Sequence, residues 1–198
     1  SRTSQATLLA DVNTDHDGDE EVLYSASFEF PSWRGHLRAW DVSALDLRYT
    51  KNSELKDIRE ANAVFRFDAG ELLAARSWNS RVVYTAYDAQ DDDKMNDRLD
   101  FRTAEKAILD GYLGLGENSP EVEPLIEWVL GRGREWKLGD INHSSPQSLG
   151  PPAGTDSLMG SGYESFKAAY ADRAKVVFVG ANDGMLHCFD ARTLDEIW

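Results

Sequence analysis

VVFVGANDGMLHCFDARTLDEIW, residues 176–198, spells out a strand, a turn and a returning strand in order. Val176, Val177, Phe178 and Val179 are an apolar, mostly β-branched run. Asn182, Asp183 and Gly184 accept the backbone angles of a tight turn, and residues 185–190 run back. Residues 190–195 make a second turn, after which Glu196, Ile197 and Trp198 begin a third strand. A bare hairpin is marginal in water, so this one is expected to lean on neighbours.

The same pattern recurs nearer the start. Residues 24–30 alternate as a strand, Pro31 and Ser32 break it, and residues 33–42 resume it. The return stretch GHLRAWDV, residues 35–42, parallels GMLHCFDA, residues 184–191, which reads as an internal repeat. A less regular third unit is expected from residues 63–67 as a strand, 68–71 as a turn, 72–76 as a return, and 80–86 as a further strand. Repeated short strands with a glycine and an aromatic per unit point to blades of a β-propeller. The fold class expected is therefore mainly β, a partial β-propeller of antiparallel blades with helical insertions at about 88–131 and 144–173. Helices are expected at 103–113, 120–130 and 163–173. The second starts with Ser119 as cap and Pro120 in the first turn, repeats Val122, Leu125, Ile126 and Val129 at helical spacing, and stops at Gly131.

Composition narrows the function. With 198 residues, 41% of them hydrophobic, the chain can bury a real core. A formal charge of −14 excludes a nucleic-acid partner, because neutralising phosphates needs clustered Lys and Arg. The single Cys188 has no internal partner for a disulfide and reads as a small packed residue on a strand. No apolar run is long enough to span a membrane and no leader pattern precedes Ser1, so the leader of an exported form is expected either to have been removed or to lie outside this sequence.

The sharpest candidate for chemistry is DVNTDHDGDEE, residues 11–21, in an acidic N-terminal segment of residues 1–23. Asn13, Asp15 and Asp17 stand at alternate positions, Gly18 follows where a calcium loop turns sharply, and Asp11, Asp19 and Glu21 are available to complete an oxygen shell. Tyr24 replaces the bidentate Glu of a full EF-hand loop, and a solvated acidic arm is the competing reading. Asp91, Asp93 and Asp97, in an acidic stretch without the glycine or the spacing, form a weaker cation candidate. His16, His36 and His187 show no metal-ligand spacing. His143 beside Ser144, Ser145 and Asp140 is expected to be a structural turn rather than a triad, since adjacency does not supply triad geometry. Trp33, Trp40, Trp136 and Trp198 are expected to pack between blades, with Trp78 exposed.

REWKLGDINHSSP (134–146), YADRAKVVFVGANDGMLHCFDA (170–191), FDAGELLAAR (67–76) followed by SRVVYTA (80–86), and SWRGHLRAWDV (32–42) together resemble the PilY family of type IV pilus assembly and tip-adhesin proteins. The LGDI and VGANDGMLH stretches are the most diagnostic. The resemblance covers residues 24–198 and implies part of the family's C-terminal quinoprotein-like propeller, whose ring continues past Trp198. It further implies a non-catalytic, extracytoplasmic protein at the pilus tip, cell surface or outer membrane. Such a protein supports pilus assembly, adhesion and twitching motility, with calcium bound in some members. Pilin or minor pilins, a host or abiotic surface, and the remaining blades or a second chain are the implied partners. Two alternatives stand beside it: a quinoprotein-type dehydrogenase propeller, for which the Asn182, Asp183, Gly184 turn would border a quinone, and a calcium-dependent glycan- or matrix-binding domain.

Overall fold

The computed structural model describes residues 2–11, 22–41, 65–89, 94–116, 118–152, 154 and 156–198. Within them the protein is mainly β, with three antiparallel sheets and five α-helices. The first sheet runs in chain order: β1 (Arg2–Asp11), β2 (Val22–Phe30), β3 (Arg34–Asp41) and β4 (Phe65–Asp68). A small second sheet pairs β5 (Tyr84–Tyr87) with β6 (Asp97–Asp100). The third is β7 (Gln147–Leu149), β8 (Val176–Gly180) and β9 (Leu186–Asp190), again in chain order.

The closing hairpin forms as its sequence dictates. Val177 lies opposite Phe189 and Val179 opposite His187, and all four are buried on one face. The third strand is present as a short pairing: Phe189 bridges Glu196, the Cys188 amide donates to the Trp198 carbonyl at 2.7 Å, and the Ile197 amide to the Cys188 carbonyl at 2.7 Å. On the first sheet, Tyr24 and Ala26 of β2 and Leu37 and Ala39 of β3 share a face. That face packs on Val177, Val179, Phe189, Ala191 and Leu194, with Leu138 and Ile141 filling the space between. Period-two alternation on both sheets thus produces one continuous core. The Tyr24 hydroxyl, buried within it, donates to the Ala191 carbonyl at 2.6 Å.

A second, smaller core lies apart. Leu99, Leu109, Val122, Ile126 and Leu130 form it, so α2 (Lys106–Tyr112) and α3 (Val122–Leu130) pack on each other and on the β5–β6 pair. Gly131 ends α3 at φ +107°, the left-handed cap its position predicts.

Several local expectations are corrected. Residues 72–76 do not return as a strand: α1 (Ala69–Ala75) forms instead. Asp68 caps it, accepting from the Gly70 amide at 2.9 Å, and Ala, Glu and Leu are strong helix formers. Residues 78–80 are a 3₁₀ turn, so β5 starts only at Tyr84. Helix α3 starts at Val122 rather than at Pro120; the Ser119 hydroxyl accepts from the Glu121 amide at 3.3 Å and its carbonyl from the Val122 amide at 3.3 Å. Helices α4 (Asp156–Met159) and α5 (Tyr163–Ala169) are short, and β7 lies within what reads as a Pro/Gly/Ser loop. Trp33 is 51% exposed at the β2–β3 turn, stacked on Phe28 rather than packed between sheets. Trp78, expected outside, is half-buried against the second core with Arg132 over its ring. Residues 2–11 join the first sheet directly, Asp11 opposite Val22. No closed ring is present among the described residues, whose three sheets are of four, two and three strands.

The two halves of the core meet where backbone touches backbone. Arg34 bridges Gly139, and the Gly35 amide donates to the Leu138 carbonyl at 3.1 Å. A Cβ on Gly35 would lie 1.8 Å from the Gly139 carbonyl oxygen. Gly35→Ala is therefore expected to force the 138–139 segment away and cost about 3 kcal/mol, read as a lowered urea midpoint at unchanged slope.

Candidate functional site

A buried carboxylate is tolerated only where cations and donors surround it. Glu196, brought inward by its pairing with Phe189, is such a carboxylate. Arg81, at the exit of the 78–80 turn, grips it with two bonds: Nε to Oε2 at 2.9 Å and Nη2 to Oε1 at 2.7 Å. Arg81 Nη1 donates to the Leu130 carbonyl at 3.1 Å, which ties the end of α3 to the same point. Both side chains are 1% exposed. Arg76 adds a bond from Nη1 to the Glu196 carbonyl.

His187 continues the chain of contacts. Its Nδ1 lies 3.0 Å from Glu196 Oε1 and its Nε2 3.0 Å from Asp183 Oδ2. Asp183 Oδ2 also accepts from the Gly139 amide at 2.8 Å, and Oδ1 from the Met185 amide at 3.0 Å. The turn that Asn182, Asp183 and Gly184 make thus has a second task. Only Gly184 of the three uses a positive φ, +87°, while the Asp183 side chain reaches back to hold residues 138–140. Asn182 joins it, its amide donating to the Asp140 carbonyl at 3.0 Å and its side chain to Asp140 Oδ2 at 2.6 Å. The Ser144 hydroxyl takes a backbone amide, that of Gly180 at 3.0 Å, in keeping with a structural turn.

These contacts set the protonation of the groups. Burial would raise the Glu196 carboxyl, but the Arg81 guanidinium and the His187 ring outweigh it and hold the group at about 2. Asp183 is lowered in the same way: burial opposes, while the bonds from His187 and from the Gly139 and Met185 amides prevail. For His187 burial disfavours the charged ring, and its two carboxylate neighbours raise it nonetheless. Lys137, which donates to the Leu73 and Ala74 carbonyls at the end of α1, is lowered, mainly by burial. Burial also raises the Cys188 thiol, in keeping with a packed residue.

A cleft of about 200 Å³ opens beside the clasp, lined by Val83, Tyr84, Leu186 and Trp198 together with Arg81, His187 and Glu196. Those three polar side chains are engaged with one another, so the arrangement fixes chain segments in place. A second polar cluster lies on the far face of the first sheet. Asp68 Oδ2 accepts from His36 Nδ1 at 2.6 Å and from Arg38 Nε at 2.9 Å while Oδ1 caps α1.

Of the calcium candidates, Asn13, Asp15, Asp17, Asp19 and Glu21 lie outside the described residues, as do Asp91 and Asp93. Asp11 ends β1, and Asp97, on β6, accepts from the Ala89 amide at 3.1 Å. Among the described residues no group of three or more His, Cys, Asp or Glu side chains converges on a point where an ion would sit. Arg81 and Glu196 escape sequence reasoning because they are far apart in the chain.

The fold and its clasp define a β-sheet module with a helical lobe, held together by buried ionic contacts. The chain is 36% identical over 184 residues to the type IV pilus biogenesis factor PilY1 homolog of Xylella fastidiosa, covering 89% of this chain and 13% of that protein. To PilY1 of Pseudomonas aeruginosa strain UCBPP-PA14 it is 28% identical over 214 residues, covering 96% of this chain and 17% of that protein. PilY1 of P. aeruginosa PAO1 matches over a shorter stretch, 44% over 64 residues, which is 30% of this chain and 6% of that protein. The chain belongs to the PilY family, as the counterpart of one segment of proteins several times its length. No protein-family model matches it. No solved structure matches it. Among the described residues no helix is long and apolar enough to cross a membrane.

Removing the Arg81 charge leaves Glu196 buried with its main cation gone. Arg81→Met is expected to cost about 3 to 5 kcal/mol in urea unfolding, whereas Arg81→Met with Glu196→Leu recovers most of that loss. Because the folded Glu196 sits at about 2 against an ordinary 4.5, its contribution is complete above 4.5 and is lost as pH falls toward 2. Glu196→Gln is expected to flatten that acid limb of the stability curve.

Proposed function

We propose that this chain serves as a non-catalytic segment of a type IV pilus biogenesis factor, acting by binding and structural capping outside the cytoplasm, at the pilus tip or cell surface. The observation that carries the reading is the match to two PilY1 proteins over 89% and 96% of the chain. Pilin or minor pilins are the partners, and attachment and twitching motility follow from a pilus so capped. In this reading the first sheet and the third, the latter extended by residues 196–198, are two neighbouring propeller blades. In support, each is an antiparallel set of strands in chain order and the two share one core.

The test is a chimera. In a piliated bacterium whose PilY1 carries this chain in place of its matching segment, surface pilin and twitching are expected near the parental level. The same chimera with Arg81→Met, at equal protein abundance, is expected to lose at least tenfold in sheared pilin. Unchanged pilus number after deleting the segment altogether would sink the reading.

The loop of residues 12–21 is proposed to take calcium. Its support is the alternate spacing of Asn13, Asp15 and Asp17 and the register that sets Asp11 opposite Val22, which brings the loop ends together. Calorimetric titration with calcium chloride is expected to give one site that vanishes in Asp15→Ala, Asp17→Ala. Binding unchanged in the double variant would remove the ion from this loop.

A further inference from the structure

His187 stands between two acceptors. A neutral imidazole carries one N–H, and an ionised carboxylate only accepts, so two carboxylates at 3.0 Å from the two ring nitrogens are both satisfied by the doubly protonated ring alone. Both carboxylates are committed to the ionised form by their other contacts: Glu196 by the paired bonds from Arg81, Asp183 by the Gly139 and Met185 amides. The side chains of Arg81, Glu196, His187 and Asp183 are 1 to 3% exposed. With the ring charged, two cations face two anions and the cluster is neutral. With it uncharged, the four side chains carry one net negative charge and one carboxylate, still held by its other donors, faces a ring nitrogen that no longer donates.

The surroundings do not supply a replacement. Arg76 reaches Glu196 Oε2 only at 4.0 Å. Lys137 spends its ammonium's hydrogen bonds on the Leu73 and Ala74 carbonyls, and its charge acts on Arg81 and Glu196 through space without a bond to either. Asp140 is bonded to Asn182. Phe189 stacks on the ring and Val179 lies opposite it, so those elements bring no charge.

We propose that His187 is a pH-operated latch. As an imidazolium it joins the 181–185 turn, and through Asp183 the 138–140 segment, to residues 196–198; on losing a proton in alkaline solution it lets that closing segment and the Arg81-held helical lobe detach. The sign follows from the raised folded value: the latch is fully closed below the ordinary 6.5 and opens as pH rises through the folded value.

Two readouts on the whole chain test this. In histidine-labelled protein, nitrogen NMR is expected to show both His187 ring nitrogens protonated at pH 7. Amide exchange, corrected for its intrinsic pH dependence, is expected to lose at least tenfold protection at Gly139, Cys188 and Ile197 through the His187 midpoint. The amides of β2 and β3 keep theirs. A neutral tautomer at pH 7, or a titration that leaves those three amides protected, overturns the proposal. His187→Gln is expected to abolish the alkaline loss of protection, and its persistence in that variant also overturns it. Should His187→Gln not fold, the wild-type titration decides.

Discussion

One buried negative charge organises this molecule. Glu196 is drawn inward by its pairing with Phe189, and the free energy of an uncompensated carboxylate in that position would be prohibitive. Its compensation recruits Arg81 from beyond α1, the end of α3 through the Leu130 carbonyl, His187 from β9 and Asp183 from the preceding turn. Buried ion pairs of this kind add little net stability over a well-packed apolar equivalent. What the cluster confers is discrimination, because an alternative packing that separates any member leaves a bare charge behind.

The clasp sits where two cores of different character meet. The larger is a stack of two antiparallel sheets whose alternating residues interdigitate, and the smaller is a pair of helices on a two-stranded ribbon. Area burial stabilises each separately but says little about how they join. The directional bonds of Arg81, which reach Leu130 on one side and Glu196 on the other, supply that orientation. A comparable division of labour holds inside the larger core. There apolar area draws the sheets together, and the Gly35 to Gly139 backbone contact sets their depth of approach.

What could be read from the sequence tracks how local the cause is. The hairpin of residues 176–190 and the strand around residues 24–30 were legible because a period of two and a turn signal lie within a dozen positions. Gly131 marked the end of α3 for the same reason. Helix α1 was misread because an apolar Leu72, Leu73, Ala74, Ala75 run has no clear period. The deciding signal, Asp68 as a cap, doubles as the acceptor for His36 and Arg38. Strand β7 is three residues long in a Pro- and Gly-rich stretch and exists only because β8 offers it an edge. Arg81 and Glu196 were invisible, since nothing nearby in sequence explains either charge; only folding brings them together.

The stretches that carry the family resemblance gain a physical meaning here. LGDINHSSP and VGANDGMLH are remote in sequence, yet each touches the other at several points: the Gly139 amide on Asp183, Asn182 on Asp140, and the Gly180 amide on Ser144. Two of the most recognisable parts of the chain are therefore the two sides of one interface. Asp140, Ser144, Asn182 and Asp183, which in isolation invite a catalytic or cofactor reading, are occupied in holding a loop against a turn. The aromatic tip at Phe30 and Trp33 and the side chains of Leu158 and Met159 project to solvent at positions that the sheet-to-sheet packing does not constrain. A scaffold closed by buried charges therefore holds its geometry independently of those exposed side chains.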